Sequence, residues 1–386
     1  MESTNSISEA RAIMLEYAAL TGLSPLEETP RRYLWTDAFA LCNLLELFRR
    51  TNDEEWRILA LQLVDQVHHV LGRHRSDDSR SGWISGLDEE EGKLHPTRGG
   101  LRIGKKLNER KPAEPSDDRL EWEQDGQYFH YLTKWMHALN RVSRITADPV
   151  YLAWAMELAQ SAHAAFTRGG AKRLYWKMSI DLTRPLVPSM GHHDPLDGYV
   201  TYNELQATAL ELGLSPQPGL AAAVSDMDAL CRGREWYTTD SLGLGGLLSD
   251  AWRIAQLTNR GVFRDTRLLE SVTDAALAGL TGFAQSRPLK DPAAYRLAFR
   301  ELGLSIGLKG VVPLWGWAEK NLPMIAQGSP LQRKLEALME YLPLAGKIEK
   351  FWLEKSNRGS STWREHGEIN MVMLATSLAP EGFLSI

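Results

Sequence analysis

Residues 127–144 read Gln127-Tyr128-Phe129-His130-Tyr131-Leu132-Thr133-Lys134-Trp135-Met136-His137-Ala138-Leu139-Asn140-Arg141-Val142-Ser143-Arg144. At about 3.6 residues per turn, Tyr128, Phe129, Tyr131, Leu132, Trp135, Met136, Leu139 and Val142 wrap most of a helix circumference. The spacing therefore predicts a helix buried on both sides. Residues 54–72 read differently. Trp56, Leu59, Leu63, Val67, Val70 and Leu71 recur in steps of three and four, with Arg57, Gln62, Asp65 and Gln66 between them. This is an amphipathic helix with one wet face.

That contrast recurs along the chain. Amphipathic stretches near 8–21, 53–73, 149–167, 217–231, 265–285 and 330–350 alternate with apolar, small-residue-rich stretches near 37–50, 127–144, 197–213, 241–258, 295–308 and 366–378. Six outer and six inner helices in alternation describe an all-α (α/α)6 toroid, expected as one domain over residues 1–386. The inner starts are unevenly spaced, whereas a solenoid keeps a fixed period. Gly243, Gly245, Gly246, Gly303 and Gly307 fall inside inner helices. Glycine there costs about 1 kcal/mol against alanine, so their density points to close backbone approach.

Two segments break the helical pattern. Residues 75–124 hold 22 charged residues in 50, yet include Trp83, Ile84, Leu87, Leu101, Ile103 and Trp122. A disordered linker would not carry these apolar residues, so an ordered insertion or lid is expected. Residues 169–196 contain Leu174-Tyr175-Trp176-Lys177-Met178, then Pro185, Pro188 and Gly191, which predicts a short β-hairpin and loop. Each segment leads into an inner helix, so both are expected over the same mouth. Loops of this length inside a compact domain are usually functional.

Composition narrows the function classes. The 386 residues carry 44 Lys+Arg against 49 Asp+Glu, a net charge of −5, with no basic excess for nucleic acid. No apolar run reaches the about 18 residues of a membrane-spanning helix. The polar first residues lack the apolar core of a secretory signal. Cys42 and Cys231 make no CxxC pair. These features predict a cytoplasmic protein without a nucleic-acid or membrane partner. No P-loop, dinucleotide fingerprint or GxSxG elbow is present, so no cofactor is expected. His192, His193, Asp194 and His366 are possible ligands but lack a fixed metal-site spacing, so no metal is expected either. The 13 tryptophans stand out, because indole rings in excess of core needs often line sugar-binding surfaces.

Chemistry-bearing residues gather where the inner helices begin. Asp37, Asp125, Asp197 and Asp240 open four of them, and each alone is an ordinary N-cap. Caps do not require the aromatic and imidazole neighbours found here. The candidate catalytic residues are these four aspartates with His193 and His366. The candidate substrate-binding residues are Trp35, Trp83, His95, Trp122, Tyr128, His130, His192, Tyr199, Trp363 and Glu368. Such a set suits a polyhydroxylated small molecule or oligosaccharide, with rings against CH faces and charged groups on hydroxyls.

The alternating hairpins, Trp35-Thr36-Asp37-Ala38-Phe39 at the first inner helix, and the aromatic–acid pairs at later ones resemble the six-hairpin glycosidase-like toroids. That superfamily holds glycoside hydrolases, unsaturated-uronide hydrolases and N-acylglucosamine 2-epimerase-type isomerases. The resemblance implies a carbohydrate-active enzyme. The leading expectation is a glycoside hydrolase with paired carboxylates, Asp125 being the acid and Asp37 or Asp240 its partner. Trp122 and Tyr128 would desolvate Asp125 and raise its pKa. The alternative is a sugar 2-epimerase or aldose–ketose isomerase in which His193 and His366 exchange a proton, with Glu368 or Asp194 orienting an imidazole. A third reading is a non-catalytic carbohydrate-binding or scaffold protein.

Overall fold

The inner and outer helices differ as their sequences require. The computed structural model describes residues 2–115, 117–167, 173–214, 218–321 and 329–386. Its elements run α1 (Glu2–Leu20), α2 (Leu34–Thr51), α3 (Glu54–Leu71), α4 (Glu89–Leu94), α5 (Asp118–Glu123), β1 (Gln127–Tyr128), α6 (Phe129–Thr146), α7 (Pro149–Phe166), β2 (Lys177–Met178), β3 (Pro185–Val187), α8 (Asp194–Glu211) and α9 (Pro218–Cys231). They continue with α10 (Ser241–Asn259), α11 (Arg267–Ser286), α12 (Ala298–Lys320), α13 (Pro330–Met339), α14 (Pro343–Leu353), α15 (Lys355–Arg358), α16 (Ser361–Glu365), α17 (Gly367–Leu378) and α18 (Glu381–Leu384). No helix among the described residues is long and apolar enough to cross a membrane. The chain forms two compact units, Ala18–Gly233 and Met1–Tyr17 with Arg234–Ile386.

In the Ala18–Gly233 unit, every residue of α2 from Leu34 to Leu47 is buried, whereas α3 buries one face. The α2–α3 and α6–α7 hairpins use the same connector. Thr51 and Thr146 bond back to Leu47 and Val142, Asn52 and Ala147 turn the chain at positive φ, and Asp53 and Asp148 cap the next helix. The left-handed residue satisfies the helix end, and the aspartate takes up an orphan amide of its successor.

The expected hairpin exists as β2 and β3, and β1 joins it to make a three-stranded antiparallel sheet in front of α6. Its first residues, 169–172, lie outside those described. The insertion is ordered and divides its contacts. Leu101 and Ile103 are buried against the starts of α2 and α6, where Leu34 N donates to Ile103 O at 3.1 Å and Ile103 N donates to Gly126 O at 2.8 Å. Gly104 has φ +92°, and a Cβ on it would lie 2.2 Å from Arg32 O. Residues 83–98 instead lean on the outer helices α3 and α7.

In the other unit, α10 and α12 cross as the glycines predicted. A Cβ on Gly245 would lie 2.0 Å from Gly303 O, and one on Gly307 2.4 Å from Gly245 O. Gly246 faces open space and has no such reason. The stretch near 330–350 is not one helix: it breaks between α13 and α14, with Pro343 opening the second.

Candidate functional site

The starts of α2 and α6 bring rings together. Tyr33, just before α2, and Tyr131, in the first turn of α6, share a hydrogen bond between their hydroxyls at 2.7 Å. Burial pushes Tyr33 up to about 12 and Tyr131 well above its ordinary value, so both stay neutral. Trp35 packs on Phe39 at 4.7 Å and on Tyr131 at 6.4 Å. Tyr128, His130 and Trp176 hold their planes within 33° of one another, at centroid spacings of 5.4, 5.2 and 6.1 Å. Trp122 on α5 stands nearly perpendicular to Trp176, 4.8 Å away. The Lys105 ammonium lies 5.6 Å above the Tyr33 ring, and burial lowers its pKa.

The aspartates of this unit differ in what holds them. Asp37 is buried, paired with Arg32 at 3.2 Å and accepting from Tyr33 N at 2.8 Å. Asp125 is fully buried. It accepts from Arg102 Nη1 at 2.6 Å and from the amides of Gly104 and Gly126 at 3.0 Å, with Arg75 Nη1 at 3.5 Å. Three hydrogen bonds and a second guanidinium thus surround a carboxylate with about four lone-pair sites, which fits a structural fastening. Trp122, expected to cover Asp125, is 51% exposed and packs on Trp176 instead. Asp197 pairs with Lys134 at 2.6 Å and accepts from the Thr133 hydroxyl.

Asp194 is the exception. It is 7% exposed, and among the described residues its Oδ2 has no hydrogen-bond partner. Burial, aided by the Asp197 charge and opposed by Lys134, pushes its pKa up to about 7. His130 Nδ1 stands 3.8 Å from Asp194 Oδ1, beyond a hydrogen bond, and is likewise without a partner. Burial, then Lys134, lowers His130 to about 4, so its ring is neutral near pH 7. Two neighbouring side chains, each with a buried polar atom lacking a partner at a cost of about 1–3 kcal/mol, are the kind of exception that a ligand explains. Gly191 folds over the acid; a Cβ there would lie 2.3 Å from Asp194 Oδ2.

Trp83, His95 and Tyr199 of the same unit turn to other partners. Trp83 is buried against His69 of α3 and under the Arg73 guanidinium. His95 bonds Glu157 of α7 at 2.8 Å. Both face outer helices, a side that a charged segment with no helical period does not reveal. Tyr199 is turned to Asp228 of α9, its pKa raised to about 12 by burial and that carboxylate. His192 is exposed, with its ring 4.6 Å from that of His193, which occupies the cap position of α8. In the other unit, Asp240 caps α10 through Gly243 N at 2.9 Å and pairs with Arg300. There His366 packs on Phe299 at 5.4 Å, Trp363 stacks on Trp352 at 5.6 Å, and Glu368 lies in the first turn of α17. Among the described residues, no three His, Cys, Asp or Glu side chains converge as a metal site requires.

Sequence reasoning gave Asp194 only an orienting or ligand role and passed over Tyr33, Tyr131 and Trp176. The signal for Asp194 was present. Pro195 marks the first turn of a helix, so α8 begins at Asp194 instead of Asp197.

No protein-family model matches the chain, and no curated protein matches it. Solved structures do. The GH76 α-mannanase of Bacteroides thetaiotaomicron aligns with a TM-score of 0.54 at 10% identity, over 98% of this chain and 97% of that one. A sugar epimerase from a ruminal bacterium gives 0.50 at 11%, over 90% and 87%. An unsaturated glucuronyl hydrolase specific for heparin gives 0.50 at 12%, over 99% and 96%. At such identities the likeness is one of fold: the chain shares an all-α (α/α)6 toroid fold with these structures.

Proposed function

We propose that the protein is a carbohydrate-active enzyme, a glycoside hydrolase in which Asp194 delivers the proton. The observation that carries this reading is a buried carboxyl raised to about 7, with a bare oxygen, beside a wall of aromatic rings. A glycosidic bond breaks when a carboxylic acid protonates the leaving oxygen while a second carboxylate assists at the sugar carbon. Asp194 is protonated over much of the neutral range, where an ordinary aspartate is not. Asp197 lies one helical turn on and is held by Lys134 and Thr133, which suits it to be the ionised member of the pair. The rings of Trp35, Tyr128 and Trp176 suit the CH faces of a sugar, and the Tyr33–Tyr131 hydroxyls and Lys105 its oxygens. The fold shared with an α-mannanase and a glucuronyl hydrolase supports the same class.

One observation favours an epimerase instead. His130 keeps a neutral ring with Nδ1 bare, a base able to take a proton beside a carbonyl. Both readings are tested with a panel of aryl glycosides and disaccharides in deuterated water. The hydrolase reading expects cleaved products, and a loss of about 10² to 10⁴ in rate for Asp194→Asn. An uncleaved sugar carrying one carbon-bound deuterium would replace it with the epimerase. Binding without turnover would leave a scaffold.

A further inference from the structure

We infer that Trp122 and Trp176 form a second sugar subsite next to Asp194, so that the substrate is an oligosaccharide. This rests on the carbohydrate reading of the Asp194 site and adds the size of what enters it. Trp176 is half-buried and lies parallel to His130 within 13° at 6.1 Å, and His130 in turn neighbours Asp194 at 3.8 Å. Trp122 packs on Trp176 at 4.8 Å and 72°, has no ring contact with His130 or Tyr128, and is 51% exposed. Ring contacts thus run from Trp122 through Trp176 to His130 beside the acid, which gives a sugar chain more than one ring to meet.

This run of rings is rigid. Trp176 is tied on both sides of its peptide, its N donating to Ser189 O at 2.9 Å and its O accepting from Phe129 N at 3.3 Å. The helix carrying Trp122 is pinned by a buried ammonium: Lys177 Nζ donates to Glu121 O, Glu121 Oε1 and Gln124 O at 2.6, 3.0 and 2.9 Å. Arg110 holds the other Glu121 oxygen at 2.9 Å. An exposed indole on so fixed a base loses little freedom when something stacks on it, which is what a binding platform needs. The occupant follows from the surroundings. Apart from Leu120, the exposed neighbours of Trp122 in the chain are Asp117, Asp118, Arg119 and Glu123. That is too little apolar area for the core of a protein interface. An indole ringed by charges suits a sugar, whose CH face stacks while its hydroxyls bond carboxylates and guanidinium.

The test uses malto-, cello- and manno-oligosaccharides of one to five units, with the corresponding aryl monoglycosides, against the full chain and Trp122→Ala and Trp122→Phe. Binding is read from tryptophan fluorescence and, where turnover occurs, from KM. Chains of two or more units should bind the alanine variant about ten-fold more weakly, monoglycosides less affected, and phenylalanine should restore most of the loss. A loss equal at every length, or none, overturns the subsite, as does a wild-type protein that binds no chain beyond one unit. The two proposals fail separately. Length-dependent binding without cleavage keeps the subsite and removes the hydrolase, whereas cleavage without length dependence does the reverse.

Discussion

Asp125 and Asp194 are both buried carboxyls at the entrance to an inner helix, α6 in one case and α8 in the other, yet their surroundings are opposite. Asp125 is met by Arg102, Arg75 and two amides, which tie the insertion at residues 101–104 to the start of α6. Asp194 meets a glycine that folds over it, the charge of Asp197 and a histidine just beyond bonding distance. Burial alone therefore does not assign a role to a carboxyl. The donors around it matter as well: Asp125 is held by several and ties the insertion to α6, whereas Asp194 keeps an oxygen without a partner.

The comparison breaks most visibly on activity. Asp194→Asn should lose about 10² to 10⁴ in kcat/KM while folding normally. Asp125→Asn should show its effect on stability, because it leaves Arg102 buried without its anion; urea unfolding should register a cost of about 3–5 kcal/mol. If Asp125→Asn kept full stability and lost catalysis alone, the assignment would be reversed.

The pH dependence sharpens the same contrast. A carboxyl whose pKa is raised by folding holds its proton more tightly in the native state. Its contribution is full below the usual carboxylate value and is lost as pH rises toward about 7. Wild type and Asp194→Asn should therefore match in relative stability below about pH 4, and the variant should gain up to about 4 kcal/mol by pH 8. Thermal unfolding of both proteins across that range measures the difference. No such gain would mean that Asp194 is not protonated by its surroundings.

Asp197→Asn removes the ionised member of the pair and should also lose rate. Its separate effect is on Asp194, whose midpoint, read from its carboxyl carbon-13 resonance, should move to lower pH yet stay above the ordinary aspartate range, since burial is the larger cause. The least effect belongs to Asp240, which is half-exposed. Arg300→Gln breaks its ion pair and should cost less than about 1 kcal/mol in chemical denaturation.

Much of the fold was legible because it rests on period. The two-sided burial of 127–144 and the one-sided pattern of 54–72 became α6 and α3, and Gly245, Gly303 and Gly307 marked the close crossing of α10 and α12. The site was less legible. Whether Asp125 is an acid or a fastening depends on Arg102 and Gly104, more than twenty residues earlier and in a segment without helical period. The same lack of period hid that Trp83 and His95 turn to outer helices while Leu101 and Ile103 reach the inner ones. Asp194 was overlooked by reading the start of α8 three residues late, past Pro195. Trp176 reaches the wall because β2 pairs with β1, a two-residue strand too short to leave a pattern.

The central claim is that one buried carboxyl, Asp194, stays protonated into the neutral range. Carbon-13 NMR of protein labelled at the aspartate carboxyl, titrated from pH 4 to 9 and compared with Asp194→Asn, observes that proton directly. The account predicts one resonance, absent from the variant, with its midpoint near 7. A resonance already shifted to the ionised position at pH 5 would contradict it.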